Sequence, residues 1–215
     1  MSTLKLFFGG SFDPIHLGHI RSAELLLAAT QAQDITLLPN ALSPLKAKQF
    51  SSPLHRKRLL AASLEAYPQL NLDWREVERG GASYTSDTLA ELAEEFPNNH
   101  IAFVMGLDSF NHLDKWRDWQ NLTKHTHIIV IARPGYQLDI SSQLSAWLAP
   151  KRCENIETLH QQQAGHVYFC ELQPMAISSS QIRLQLAQKT DLESLKNQLP
   201  KSAVNYIIQH KLYGA

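Results

Sequence analysis

Residues 4–19, with the sequence LKLFFGGSFDPIHLGH, decide the fold. The apolar run at 4–8 is typical of a buried strand, and the glycine pair at 9–10 ends it with a turn. The leucine- and alanine-rich segment that follows, residues 17–32, predicts a helix. A strand, a glycine turn and a helix in this order indicate the first unit of an α/β protein, with the turn at the carboxyl end of the strand.

The same alternation continues along the chain. Further strands are predicted at 34–38, 70–74, 101–105, 128–132 and 167–172. Further helices are predicted at 54–66, 85–96, 180–189 and 202–210. Thr85 is the candidate N-cap of the second of these helices. Strands that alternate with helices predict a Rossmann-like, mostly parallel sheet with helices on both faces.

The chain length favours a single domain. The 215 residues suit one α/β domain spanning 1–215, and no internal repeat is present. The polar, glutamine-rich stretch 137–165 is expected to be an insertion or a set of outer helices rather than part of the core.

Composition excludes several classes of partner. Lysine plus arginine and aspartate plus glutamate both number 20, so no global positive field exists to hold a nucleic-acid backbone. No apolar run reaches the roughly 18 residues needed to span a membrane, and the N-terminal sequence does not have a signal peptide's pattern. The two cysteines, Cys153 and Cys170, are expected to be reduced thiols. A cytoplasmic protein with neither nucleic-acid nor membrane partners is predicted.

The histidines of the first turn indicate phosphate chemistry. His16 and His19 are three residues apart, so on a helix they share one face. Free N–H groups and the positive dipole end of the helix lie beside them, and together they would form a cradle for a polyphosphate. Spacing alone leaves two alternatives open, a metal-binding pair and a solvated start of a helix.

Two signatures resemble those of a known family. The string GGSFDPIHLGH at 9–19 resembles the nucleotidyltransferases whose signature is histidine, any residue, glycine, histidine. ISSSQIR at 177–183 resembles the second signature of that family. The resemblance implies that His16 and His19 are catalytic. It also implies the following ATP-binding residues: Gly9, Gly10, Ser11, Phe12, Gly18, Ile177, Ser178 and Arg183.

Within that family the chain resembles the bacterial nicotinate-nucleotide adenylyltransferases. The segments SYTSDTL at 83–89 and GLDS at 106–109, together with Trp116, carry this resemblance. It implies that nicotinate mononucleotide contacts Ser83, Tyr84, Thr85, Trp116 and Arg133. It adds Lys46, Gly106 and Asp108 to the ATP site, and it implies that Arg56 is the exception in the basic cluster at 55–58, which is otherwise expected to be a solvated face. One departure is Leu45, which stands where the family commonly has histidine.

The resemblance implies a reaction and its co-substrates. ATP would adenylylate nicotinate mononucleotide in NAD biosynthesis, with Mg²⁺ accompanying ATP and no metal site built from protein residues alone. Two alternatives stay open: an enzyme that prefers the amide mononucleotide, and a non-catalytic nucleotide-binding module. A dinucleotide-binding dehydrogenase is disfavoured, because the turn after the first strand is not a glycine-x-glycine-x-x-glycine sequence. The oligomeric state is not predicted.

Overall fold

The structure, a computed structural model, describes residues 3–42, 49–132, 135–173, 175–188 and 195–215. Its strands are β1 (Leu4–Gly10), β2 (Ile35–Pro39), β3 (Leu70–Leu72), β4 (His100–Gly106), β5 (His127–Ala132), β6 (Arg152–Cys153) and β7 (Val167–Glu171). They form one sheet in the order β3-β2-β1-β4-β5-β7-β6, and every pairing among them is parallel. The predicted Rossmann-like architecture is confirmed.

Helices connect successive strands, and two more follow the last strand. They are α1 (Leu17–Thr30), α2 (Pro53–Leu64), α3 (Arg75–Arg79), α4 (Thr85–Glu95), α5 (Leu107–Phe110), α6 (Ser142–Leu148), α7 (Glu157–Gln161), α8 (Ser179–Ala187) and α9 (Lys201–Gln209). Short 3-10 turns occupy Leu113–Lys115, Trp119–Asn121 and Leu212–Gly214. Each predicted strand and helix is present with ends that differ by no more than two residues. No helix in the described part of the chain is long and apolar enough to cross a membrane.

Hydrophobic side chains on both faces hold the sheet between its helices. Successive residues of a strand point to opposite faces. Leu6 and Phe8 of β1 accordingly join one buried cluster, and Phe7 joins another. A third cluster joins α2 to the two C-terminal helices, α8 and α9. Both faces of the central strands are therefore buried, which is why these strands are continuous apolar runs in the sequence.

The order of the strands places a crevice at one edge of the sheet. β1 pairs with β2 on one side and with β4 on the other, so the winding direction reverses between β1 and β4. Ligands of such sheets bind outside the carboxyl ends of the strands at this switch point. The turns that follow Gly10, Pro39 and Gly106 meet there.

Two expectations from the sequence differ from the structure. Thr85 is not an N-cap: α4 begins at Thr85, its N-cap is Tyr84, and no side chain caps it. The stretch 137–165 contains α6, β6 and α7, and its leucines Leu144 and Leu159 are fully buried. These leucines belong to the core, which the polar composition of the stretch concealed.

Candidate active site

The turn after β1 brings two imidazole rings together at the start of α1. His16 is the N-cap of α1, and its Nδ1 accepts a hydrogen bond from the backbone N–H of His19 at 3.3 Å. The Nδ1 of His19 accepts in return from the N–H of His16, also at 3.3 Å. The rings stack with centroids 3.6 Å apart. The sequence predicted both histidines on one face of the helix. His16 instead lies just before the helix as its N-cap, and the two rings still lie side by side.

These hydrogen bonds determine where each neutral ring holds its proton. Since both Nδ1 atoms accept, a neutral ring carries its proton on Nε2 and donates from there. His16 is only 5% exposed, and burial lowers its pKa to about 4. The site therefore presents His16 as a neutral hydrogen-bond donor, and a positive charge on it would need a nearby anion.

Gly18 makes room for the histidine pair. A Cβ at this position would lie 2.9 Å from Nδ1 of His16, the atom that accepts from His19. The glycine of the first signature is therefore required by close packing against the imidazole.

The second signature packs directly against the first. Ser178 caps α8 by accepting from the N–H of Gln181 at 3.2 Å. The hydroxyl of Ser179 donates to the carbonyl of Pro14 at 2.9 Å. Arg183 donates from Nη1 to the carbonyl of Asp13 at 2.6 Å. Two segments that are more than 150 residues apart in the chain thus form one side of the crevice.

The larger of two neighbouring cavities, of about 720 Å³, lies between the signatures. The described residues predicted to be catalytic or to bind ATP all line it: Gly9, Gly10, Ser11, Phe12, His16, Gly18, His19, Gly106, Asp108, Ile177, Ser178 and Arg183. Lys46, and with it Leu45, lies outside the described residues.

The second cavity, of about 390 Å³, extends over β4 towards α4. Four residues predicted to contact the mononucleotide line it: Ser83, Tyr84, Thr85 and Trp116. Trp116 lies across the ring of Phe103, with centroids 6.5 Å apart. The fifth predicted contact, Arg133, is outside the described residues.

The two cavities meet at the signature turn. Both are lined by Gly9, Gly10, Ser11, Asn40 and Ser109. Molecules that occupied the two cavities together would therefore come into contact beside the turn between β1 and α1. This arrangement suits a reaction that joins two substrates.

Comparison with known proteins shows the family. The profile of the cytidylyltransferase-like family matches residues 7–185, most of the chain. The chain belongs to the cytidylyltransferase-like family.

Curated relatives within the cytidylyltransferase-like family share more than a third of the sequence. A protein of Psychromonas ingrahamii is 37% identical over 96% of this chain and 95% of its own length. One of Hahella chejuensis is 40% identical over 98% of this chain and 95% of its own length. Both are described as "Probable nicotinate-nucleotide adenylyltransferase". The chain belongs to the same family as these relatives, which confirms the resemblance found in the sequence.

A solved structure supports the fold. The nicotinic acid mononucleotide adenylyltransferase of Plasmodium falciparum, complexed with NaAD, superposes with a TM-score of 0.74 at 20% identity. The match covers 98% of this chain and 97% of that one. At this identity the likeness concerns the fold alone.

Asp13 is a residue whose importance sequence reasoning missed. It belongs to the first signature, yet no role was assigned to its side chain. Its carboxylate accepts four hydrogen bonds, from the N–H groups of Phe50 and Ser51 and from the hydroxyls of Ser51 and Tyr213. These donors lie 37, 38 and 200 residues away, so no local pattern could reveal them. Asp13 thereby ties the signature turn to the start of α2 and to the C-terminal turn.

Arg56 is buried behind the signature turn. It is 0% exposed, and Nη1 donates to the carbonyl of Ser11 at 3.1 Å and to Oδ1 of Asn40 at 3.4 Å. Its Nε and Nη2 make no hydrogen bond to a described residue. Burial lowers the pKa of this guanidinium, and the nearby carboxylate of Asp13 opposes that shift. Helical spacing from Leu59 and Leu60 is the sequence signal that places Arg56 on the buried face of α2.

Proposed function

We propose that the protein transfers the adenylyl group of ATP to nicotinate mononucleotide, giving nicotinate adenine dinucleotide and pyrophosphate. The observation that carries this proposal is the pair of cavities that meet at the signature turn. The larger one is lined by the family's two nucleotide signatures, and the other by Trp116 and the segment 83–85. The names of the relatives support the same substrates.

The phosphates of ATP would lie against the first turn of α1. Backbone N–H groups at this turn and the Nε2 donors of His16 and His19 suit the α- and β-phosphates. Ser178 and Arg183 would hold the outgoing pyrophosphate from the start of α8. By the family resemblance, Lys46 would add a second positive charge to the ATP site and Arg133 would contact the mononucleotide.

The chemical step needs no covalent intermediate with the protein. A phosphate oxygen of the mononucleotide attacks the α-phosphorus of ATP, the new P–O bond forms, and the bond to the bridging oxygen of the β-phosphate breaks. The attacking phosphate monoester is largely ionised at neutral pH, with a second pKa of about 6, so a general base is not required. The protein would accelerate the step by positioning both substrates and by stabilising charge on the leaving pyrophosphate.

Transfer of a nucleotidyl group from ATP generally uses a divalent metal ion, and we propose Mg²⁺ here. Within the described residues, no group of three or more metal-ligating side chains could hold the ion. The carboxylate of Asp13 is already engaged by four protein donors, whereas Asp108 is exposed in the larger cavity. These side chains fit an Mg²⁺ that would arrive on phosphate oxygens and would neutralise phosphate charge when bound, and Asp108 is the described carboxylate that would be available to hold it.

Release of pyrophosphate tests the proposal. Purified protein is mixed with ATP, Mg²⁺ and either nicotinate mononucleotide or nicotinamide mononucleotide, and the initial rates are measured. We expect pyrophosphate release that depends on the acid mononucleotide. Release that depends only on the amide would favour an amide-preferring enzyme, and ATP binding without release in either mixture would favour a non-catalytic nucleotide-binding module.

Two further expectations accompany this function. We propose that residues 1–215 form a single catalytic domain, which the one continuous sheet supports. The cytoplasmic location remains a prediction from the sequence. Cys153 and Cys170 are unpaired, and burial raises the pKa of Cys170 to about 11, so this thiol is protonated at neutral pH.

A further inference from the structure

A buried carboxyl group lines the smaller cavity, where the proposed substrate is itself an anion. Glu76 lies on the short helix α3 and is 6% exposed. No part of the proposed reaction uses it. A buried carboxyl group is costly to keep unless its hydrogen bonds stabilise something nearby.

The hydrogen bonds of Glu76 lead to the segment that precedes α4. Its Oε1 accepts from the hydroxyl of Thr88 at 2.8 Å, and the nearby hydroxyl of Ser83 also stabilises the charged carboxyl group. Thr88 is fully buried on α4, and its Oγ1 accepts from Arg79 at 2.9 Å. Glu76 thus joins α3 both to α4 and to Ser83.

Ser83 is also hydrogen-bonded to the chain that leaves the end of β2. Its Oγ accepts from the backbone N–H of Ala41 at 2.8 Å, and its own N–H donates to the carbonyl of Leu42 at 2.9 Å. Residues 83–85 are therefore held from two sides, by Glu76 and by the chain that leaves β2. The next N–H groups, of Thr85 and Ser86, begin α4 and make no hydrogen bond within the described residues. They form a pair of donors suited to a carboxylate.

The charges around Glu76 come from four elements. Arg79 of α3 and Arg56 of α2 are the nearby cations, and Asp73, just before α3, is a like charge. Lys115 and Arg117 line the same cavity from the turn after α5. Burial raises the pKa of Glu76, while the hydrogen bonds from Thr88 and Ser83 oppose that rise.

We propose that Glu76 is a positioning residue that sets the preference for the acid over the amide mononucleotide, by holding residues 83–85 through Ser83 and Thr88. The inference rests on the proposed function. A carboxylate accepts from both N–H groups at the start of α4, whereas a carboxamide would turn an NH₂ donor towards one of them. This discrimination requires the two donors to stay in place. Without Glu76 the hydroxyls of Ser83 and Thr88 lose a buried acceptor, and the segment is free to shift.

Two substitutions separate hydrogen bonding from charge. Glu76→Ala removes the acceptor, so we expect the KM for nicotinate mononucleotide to rise about tenfold and the acid-over-amide ratio of kcat/KM to fall by a similar factor. The KM for ATP should stay close to the wild-type value. Glu76→Gln removes the charge but keeps an oxygen acceptor for the Thr88 hydroxyl, so it should restore most of the ratio.

Glu78→Ala is the matched control, because Glu78 lies on the same helix, is exposed and pairs only at the surface with Lys57. It should leave the ratio unchanged. If Glu76→Ala does not fold, Thr88→Val replaces it, since it removes the donor to Glu76 with little change in shape and should also lower the ratio.

Three results would overturn the proposal. The first is an unchanged acid-over-amide ratio in both Glu76→Ala and Thr88→Val. The second is an equal rise in the KM for ATP and the KM for nicotinate mononucleotide in Glu76→Ala. The third is a fall in the ratio in Glu76→Gln as large as that in Glu76→Ala. The proposed function fails separately, when the wild-type protein releases no pyrophosphate with nicotinate mononucleotide.

Discussion

At the scale of single residues, the site depends on a contact that leaves no spare volume. Nδ1 of His16 accepts from the N–H of His19, and a Cβ at Gly18 would approach that Nδ1 to 2.9 Å. In Gly18→Ala the His16 ring must therefore move. We expect kcat to fall by about 10²-fold, as for the loss of one preorganised donor to the transition state. The helix would lose its cap, at a cost of about 1 kcal/mol in unfolding free energy, and the higher helix propensity of alanine would offset part of that cost.

Ala29→Gly is the control for Gly18→Ala, because Ala29 is exposed on the same helix. It should cost about 1 kcal/mol in unfolding free energy without touching the histidines, so it shows what a loss of helix stability alone does to kcat. Steady-state rates and urea unfolding measured on both variants separate the two effects. Equal kcat values for the two variants would contradict the role given to the His16–His19 pair.

At the scale of elements, the C-terminal 3-10 turn acts on the signature turn. The hydroxyl of Tyr213 donates to Oδ1 of Asp13 at 2.6 Å, and burial raises the pKa of Tyr213, so this hydroxyl stays protonated. Tyr213→Phe removes one of the four donors to Asp13. A hydrogen bond to a charged group is worth about 1.5–3 kcal/mol, so we expect lower unfolding free energy and a raised KM for ATP.

Tyr206→Phe provides the comparison for Tyr213→Phe. It removes a hydrogen bond of 3.1 Å to His55, away from the signature turn. We expect this variant to lose stability while its KM for ATP stays unchanged, as followed by thermal unfolding and initial rates. A KM for ATP that responds equally to both substitutions would contradict a specific link between Tyr213 and the nucleotide site.

The elements also show what the sequence could predict. β1, β4 and β5 are buried on both faces, and such strands are unbroken apolar runs that are readily recognised. The five-residue helix α3 has no such pattern, because REVER is too short and too charged to show an apolar face. Glu76 was missed with it. The roles of Glu76 and Asp13 depend on partners that only the folded chain brings close, whereas the two signatures are local strings.

At the scale of the whole molecule, the two ends of the sheet differ in chemistry. The candidate site lies at the carboxyl ends of the strands, and a group of histidines lies at the amino ends. His127 begins β5 and is fully buried, with His166 stacked beside it at 5.7 Å. Nε2 of His127 bonds to the carbonyl of Gln162 at 2.9 Å, and Nδ1 accepts from the N–H of His166 at 3.3 Å. Both nitrogens of the neutral ring are therefore hydrogen-bonded, and a second proton, on Nδ1, would face the N–H donor of His166.

This arrangement makes the fold sensitive to acid. Burial, together with the nearby His166, His100 and His160, lowers the pKa of His127 to about 4, against 6.5 for an unperturbed histidine. Between these two pH values the His127 side chain binds more protons in the unfolded chain than in the folded one. The free energy of unfolding that the neutral His127 contributes is therefore complete above about pH 6.5 and is lost as the pH falls towards 4. At about pH 5 the expected loss of unfolding free energy from this one residue is about 2 kcal/mol.

Urea unfolding at about pH 7.5 and about pH 5 should therefore show a smaller loss of unfolding free energy in His127→Gln than in wild type. The exposed His125, replaced by glutamine, should leave the wild-type loss intact. Equal pH dependence in wild type and His127→Gln would show that the acid sensitivity comes from elsewhere, with the buried His16 as the next residue to substitute.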